Sequence, residues 1–131
     1  MWAVCLDTGH AKVSGDIYSV THKLGQHLRM IHAHDNHGNG DEHLAPGNGN
    51  IDWNRFLTEL DWTGFRGGFI LELASMDNVQ HLLAEARTGK RFLSRNQSPI
   101  GTLASAKNRW VRLRRCSIGV FTQLREKMRA S

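Results

Sequence analysis

The sequence predicts an α/β fold, a partial (β/α)8 barrel of about three βα units followed by a basic extension. Three observations predict it. Short apolar runs alternate with amphipathic segments; each apolar run ends in a carboxylate or an imidazole; and charge divides the chain in two. Residues 1–86 carry five Lys/Arg against eleven Asp/Glu, a net −6 that the overall +5 conceals. Residues 87–131 carry twelve basic residues against the single acid Glu126, a net +11, and all eight histidines lie at or before His81. The reading therefore assigns residues 1–95 to the barrel and sets residues 96–131 apart as a basic tail.

The first apolar run, residues 2–6, is a strand ending at Asp7-Thr8-Gly9-His10. A helix is expected within residues 17–27, with Asp16 as its cap. The second strand, residues 28–34, leads into a polar segment over residues 35–50. Asp52 caps a helix carrying Trp53, Phe56, Leu57 and Leu60 at helical spacing. The third strand covers residues 67–73, and Asp77 opens a helix with Val79, Leu82, Leu83 and Ala86 on one face. Strands and helices alternating at this interval give right-handed βαβ units and a parallel sheet. Side-chain alternation places Cys5 and Asp7 on one face, with Ile70 and Glu72, and places Val4, Leu6, Phe69, Leu71 and Leu73 on the other. Beyond residue 95, Pro99 breaks the helix pattern, no strand with a polar tip is legible, and residues 123–129 suit a short helix.

No stretch approaches the roughly 18 consecutive apolar residues that a membrane span needs. The apolar start runs straight into Asp7 without a basic flank, unlike a signal peptide. Cys5 and Cys116 are far apart and lack a CxxC partner, which points to a reducing, cytoplasmic setting.

Asp7, His10, His32, His34, Asp41, His43 and Glu72 gather at strand ends, where a barrel of this kind keeps its chemistry. Mixed nitrogen and oxygen donors suit Zn, Mn, Co or Fe ions better than Ca. Asp41 and His43 are open to several roles: a second metal, a substrate contact, or ordering of their loop. His34 and His37 read as outer or solvent-facing groups, and His22, His27 and His81 as surface residues of helices. Gly47 and Gly49 beside Pro46 serve loop geometry. Trp53 packs its helix onto the sheet.

Four ordered motifs carry a resemblance. They are Asp7-Thr8-Gly9-His10-Ala11, Ile31-His32-Ala33-His34-Asp35-Asn36-His37-Gly38, Asp41-Glu42-His43-Leu44-Ala45-Pro46-Gly47-Asn48-Gly49-Asn50-Ile51-Asp52-Trp53 and Phe69-Ile70-Leu71-Glu72-Leu73. Over residues 1–90 the chain resembles the C-terminal part of the xylose isomerase-like TIM barrel superfamily, which holds sugar and sugar-phosphate isomerases and epimerases and, as a relative, endonuclease IV. The resemblance implies a divalent ion (Mn, Zn, Co, Mg or Fe) on Asp7, His32 and Glu72, with a further glutamate from an earlier strand completing the set. It implies a substrate contact for His10, and for Glu72 both metal binding and proton transfer; His34, Asp41 and His43 are candidates for a second metal or a substrate contact. The implied substrate is a small sugar or sugar phosphate. No earlier strand is read here, so the chain alone is expected to be inactive and to self-associate through open sheet edges.

Two other readings compete. An endonuclease IV-like nuclease acting at damaged DNA would also use His10, Asp41 and His43 as ligands of a multi-zinc cluster. Glu42 stands where that family typically carries a DNA-contacting arginine, and the negative barrel portion repels a phosphate backbone. The third reading is a non-catalytic fragment. The basic tail lacks any nucleic-acid-binding motif.

Overall fold

Alternation in the first apolar run produces β1, Val4–Asp7, with Leu6 buried on one face and Cys5 exposed on the other. The computed structural model describes residues 2–74, 78–96 and 119–122. Immediately after β1 comes a helix that hydrophobic periodicity does not signal: α1, Thr8–Ser14, holds two glycines' worth of punctuation, Gly9 inside it and Gly15 just after. Asp7 starts it by accepting the His10 backbone N–H at 2.8 Å, which satisfies one of the free donors of the first turn. The strand-end carboxylate is thus also a helix cap.

The expected cap Asp16 opens α2, Ile17–Leu24, by accepting the Tyr18 backbone N–H at 3.0 Å. This helix ends earlier than the sequence suggests, because Gly25 adopts a positive φ of 45° and a 3₁₀ turn, Gly25–His27, follows. β2, Leu28–Ala33, then leads into the long polar segment. Asp52 caps α3, Trp53–Trp62, through the Arg55 backbone N–H. Its Trp53, Phe56 and Leu60 are buried at the expected spacing, with Trp53 and Phe56 edge to face at 5.6 Å.

β3 spans Gly68–Leu73 and α4 spans Val79–Arg95. Asn78 caps α4, accepting the His81 backbone N–H at 2.8 Å; the expected cap, Asp77, lies outside the described residues. The buried stripe of α4 is Leu82, Ala86, Gly89 and Leu93, while Val79 and Leu83 are exposed. Leu83 follows Leu82 by about 100° of helix rotation, which carries it off the stripe.

β1, β2 and β3 pair in parallel, as in a partial TIM barrel. β4, Gly119–Thr122, pairs parallel with β3, so the sheet order is β1-β2-β3-β4. It is the one described element within residues 96–131, and a four-residue run with two bulky apolar positions gives the sequence no period to show it. The helix expected over residues 123–129 lies outside the described residues. Helices cover one face of the sheet, where Leu6, Ile31, Ala33, Phe69, Leu71 and Leu73 meet Ile17, Trp53, Phe56, Leu60 and Leu82. The opposite face carries Cys5, His32 and Ile70 and stays accessible. Among the described residues, no helix is long and apolar enough to cross a membrane.

Candidate metal centre

The register Asp7↔His32↔Ile70 aligns the three strands so that Asp7 and His32 share one inward row. Glu72 lies one inward step further along β3, at its C-terminal end. The result is convergence: Asp7, His32 and Glu72 each offer a ligand atom, and these atoms all lie within 4.8 Å of one another. His32 Nδ1 is 2.8 Å from Glu72 Oε2, and Glu72 is 8% exposed. Two carboxylates brought together repel unless a cation or a proton joins them. The donor set of two oxygens and one nitrogen suits a divalent ion of the Mn, Zn, Co or Fe kind.

Burial pushes the Asp7 carboxyl up, but hydrogen bonds from His34 and the His10 backbone, helped by the nearness of the two imidazoles, more than offset this and hold it down at about 2. Asp7 is therefore a carboxylate kept ionised by its surroundings. Its Oδ1 faces His34 Nε2 at 2.8 Å, and its Oδ2 faces His10 Nδ1 at 3.3 Å.

A second group forms beside the first. Asp7, His10 and His34 converge, as do His34, Asp41 and His43. His10 is largely exposed and bridges two carboxylates, with Nε2 3.3 Å from Asp41 Oδ2. The His43 Nδ1–H donates to the Glu72 carbonyl at 3.0 Å, which leaves its Nε2 facing Asp41 Oδ2 at 3.1 Å. A bare ring nitrogen against a carboxylate is repulsive unless a proton or metal cation stands between them. His43 reaches this place through a φ of 52°, uncommon for a residue other than glycine. The Ala74 N–H donating to its carbonyl ties it to the end of β3.

What sequence reasoning missed is the buried polar scaffold beneath these groups. Asp35 is fully buried. Its Oδ1 accepts the Asn36 and Ile51 N–H groups at 2.9 and 3.1 Å, and its Oδ2 accepts the Gly47 N–H and Trp53 Nε1–H at 3.0 and 2.8 Å. Its backbone exchanges hydrogen bonds with Leu44 at 2.7 and 2.9 Å. One carboxylate thus folds the segment that presents Asp41 and His43. Asn36, also buried, donates to the Gly9 carbonyl and accepts the Gly38 N–H. Gly49 is small because a Cβ there would meet Asp35 Oδ1 at 2.4 Å. The available signal was a polar triplet, His34-Asp35-Asn36, directly continuing an apolar strand.

The remaining histidines fall where expected. His37 is exposed and pairs with Glu42 at 3.0 Å, and His22, His27 and His81 are exposed. Trp53 is core, with its indole N–H spent on Asp35.

Parallel strands whose C-terminal tips gather carboxylates and imidazoles define part of a (β/α) barrel with a polar mouth. The chain belongs to the xylose isomerase-like TIM barrel family, whose model matches residues 2–96. It is similar to a D-tagatose 3-epimerase-like protein of known crystal structure, with 32% identity and a TM-score of 0.61, over 72% of this chain and 34% of that one. It is also similar to the uncharacterized protein MJ1311 of Methanocaldococcus jannaschii, 38% identical over 72 residues, covering 53% of this chain and 25% of that protein. The uncharacterized protein y4fM of Sinorhizobium fredii is 36% identical over 64 residues, covering 48% of this chain and 21% of that protein. The chain thus spans about a quarter of the length of these curated relatives and a third of the structural neighbour.

Proposed function

We propose that residues 1–95 are the C-terminal part of a cytoplasmic, divalent-metal-dependent sugar or sugar-phosphate isomerase or epimerase. The observation that carries this reading is the meeting of Asp7, His32 and Glu72 at the tips of three parallel strands. The crystal structure of a D-tagatose 3-epimerase-like protein among its relatives supports the substrate class. The chemistry fits the donors. Moving a hydrogen between adjacent sugar carbons begins by removing a C–H proton beside a carbonyl. A bound divalent ion supplies electrostatic relief for the negative charge that builds on the sugar oxygens. Glu72, at the site and mostly shielded from water, takes and returns the proton; His10, exposed over the same mouth, contacts the sugar. A further carboxylate, from a strand beside β1, completes both the ligand set and the proton exchange.

The second donor group favours one other reading, a nuclease with a multi-ion centre. Metal content decides between them. Dialysed protein loaded with Zn²⁺ and analysed by atomic emission is expected to retain one ion per chain, on Asp7, His32 and Glu72. Three ions per chain support the nuclease. None removes the metal reading.

The expected separation of residues 96–131 from the barrel does not hold for β4, which pairs with β3 in the same sheet; at the other end of the order, β1 is the edge among the described strands. Among the described residues, β1 pairs only with β2, and Cys5 on its inward face is exposed. Such an edge associates with other chains. Size-exclusion chromatography is expected to show concentration-dependent oligomers; a monomer that melts cooperatively contradicts this.

A further inference from the structure

We propose that His34 is a positioning residue that donates a hydrogen bond to Asp7 and so presents this carboxylate to the metal through its other oxygen, rather than being itself a ligand of a second ion. The inference rests on the proposed role of Asp7. His34 is fully buried, and its Nε2 lies 2.8 Å from Asp7 Oδ1. Its Nδ1 is buried and has no hydrogen-bond partner among the described residues. The one contact at Nε2 and the lack of one at Nδ1 fix the tautomer. A carboxylate can only accept, so Nε2 carries the proton; a buried, unpaired N–H at Nδ1 would add cost with no return, so Nδ1 is bare. A protonated Nε2 has no lone pair to offer an ion, and the bare Nδ1 is buried against Gly9.

The surroundings hold the ring in this one pose. Thr8 Oγ1 donates to the His34 carbonyl at 2.7 Å and accepts the His34 backbone N–H at 3.0 Å. The ring stacks on His43 with centroids 3.9 Å apart and planes within 8°. On the other side it lies against Gly9, where a Cβ would meet His34 Cε1 at 1.9 Å. The glycine between Asp7 and His10 is therefore the space that His34 needs. With Oδ1 taken by His34 and by the His10 backbone N–H, Oδ2, which faces the exposed His10 ring at 3.3 Å, is the oxygen that Asp7 turns to the mouth. Hydrogen bonding of a ligating carboxylate by an outer partner typically governs affinity by about 10- to 100-fold.

The test pairs Co²⁺ titration calorimetry with imidazole ¹⁵N NMR on the full chain. His34→Phe keeps the ring stack and the volume but loses the donor; it is expected to bind Co²⁺ about 10- to 100-fold more weakly. His34→Gln keeps an N–H donor and is expected to stay within about threefold of wild type. Equal affinity in wild type and His34→Phe overturns the proposal, because a space-filling role survives that change. Losses of equal size in both variants overturn it too, in favour of direct ligation. The NMR arm needs neither a variant nor a metal. It is expected to show His34 protonated at Nε2 and bare at Nδ1; the opposite tautomer overturns the proposal. A wild-type chain that binds no Co²⁺ yet shows the expected tautomer rejects the metal reading of Asp7 and retains the hydrogen bond.

Discussion

Asp35→Ala is expected to lose at least about 3 kcal/mol of stability, which for a chain with three covered βα units is a large part of the total. The carboxylate accepts four N–H groups at 2.8–3.1 Å, and three of its donor residues, Asn36, Ile51 and Trp53, are buried. Removing the acceptor leaves these donors without partners, each at about 1–3 kcal/mol. Some of this is returned because a charged group no longer has to be held out of water. Urea unfolding followed by circular dichroism checks the total. Trp53 fluorescence checks the local cause, since its indole N–H is released. A variant with the wild-type midpoint would show that the loop from residue 36 to 51 is held by something else. Asp35→Asn separates acceptor from charge: one of its two side-chain ends must face donors with a donor, so it is expected to fall between wild type and alanine.

This residue also shows where sequence reading stops. The first three strands and the helices α2, α3 and α4 were legible because their apolar residues repeat with clear periods. Phe69, Leu71 and Leu73 alternate, and Trp53, Phe56 and Leu60 fall on one helical face; all six are buried as read. Asp16 and Asp52 cap the helices that follow them. α1 was not legible. It is short, starts without a loop, contains Gly9, and is signalled only by a carboxylate already accounted for as a strand tip. Asn78 caps α4 because its side chain reaches the third backbone N–H of that helix. β4 is a pairing of distant segments, and no local pattern encodes it.

The site divides in the same way. The convergence of Asp7, His32 and Glu72 was legible in part: all three lie at strand ends, and alternation puts Asp7 and Glu72 on one face. Asp41 and His43 sit in a loop, where no period applies; their place is set by Asp35, by the Leu44 backbone exchange and by the positive φ of His43. The pairing of His34 with Asp7 spans 27 residues, and only the parallel register brings the two together.

The second large effect concerns the metal. The measurement closest to the central claim is Co²⁺ affinity by titration calorimetry for wild type, Asp7→Ala, His32→Ala and Glu72→Ala, with folding checked by circular dichroism. Loss of a direct ligand should exceed the roughly 10- to 100-fold effect of an outer partner, so each variant is expected to bind at least about 100-fold more weakly. Folded variants that bind Co²⁺ as tightly as wild type would contradict the account, because three strand tips within 4.8 Å would then not share an ion.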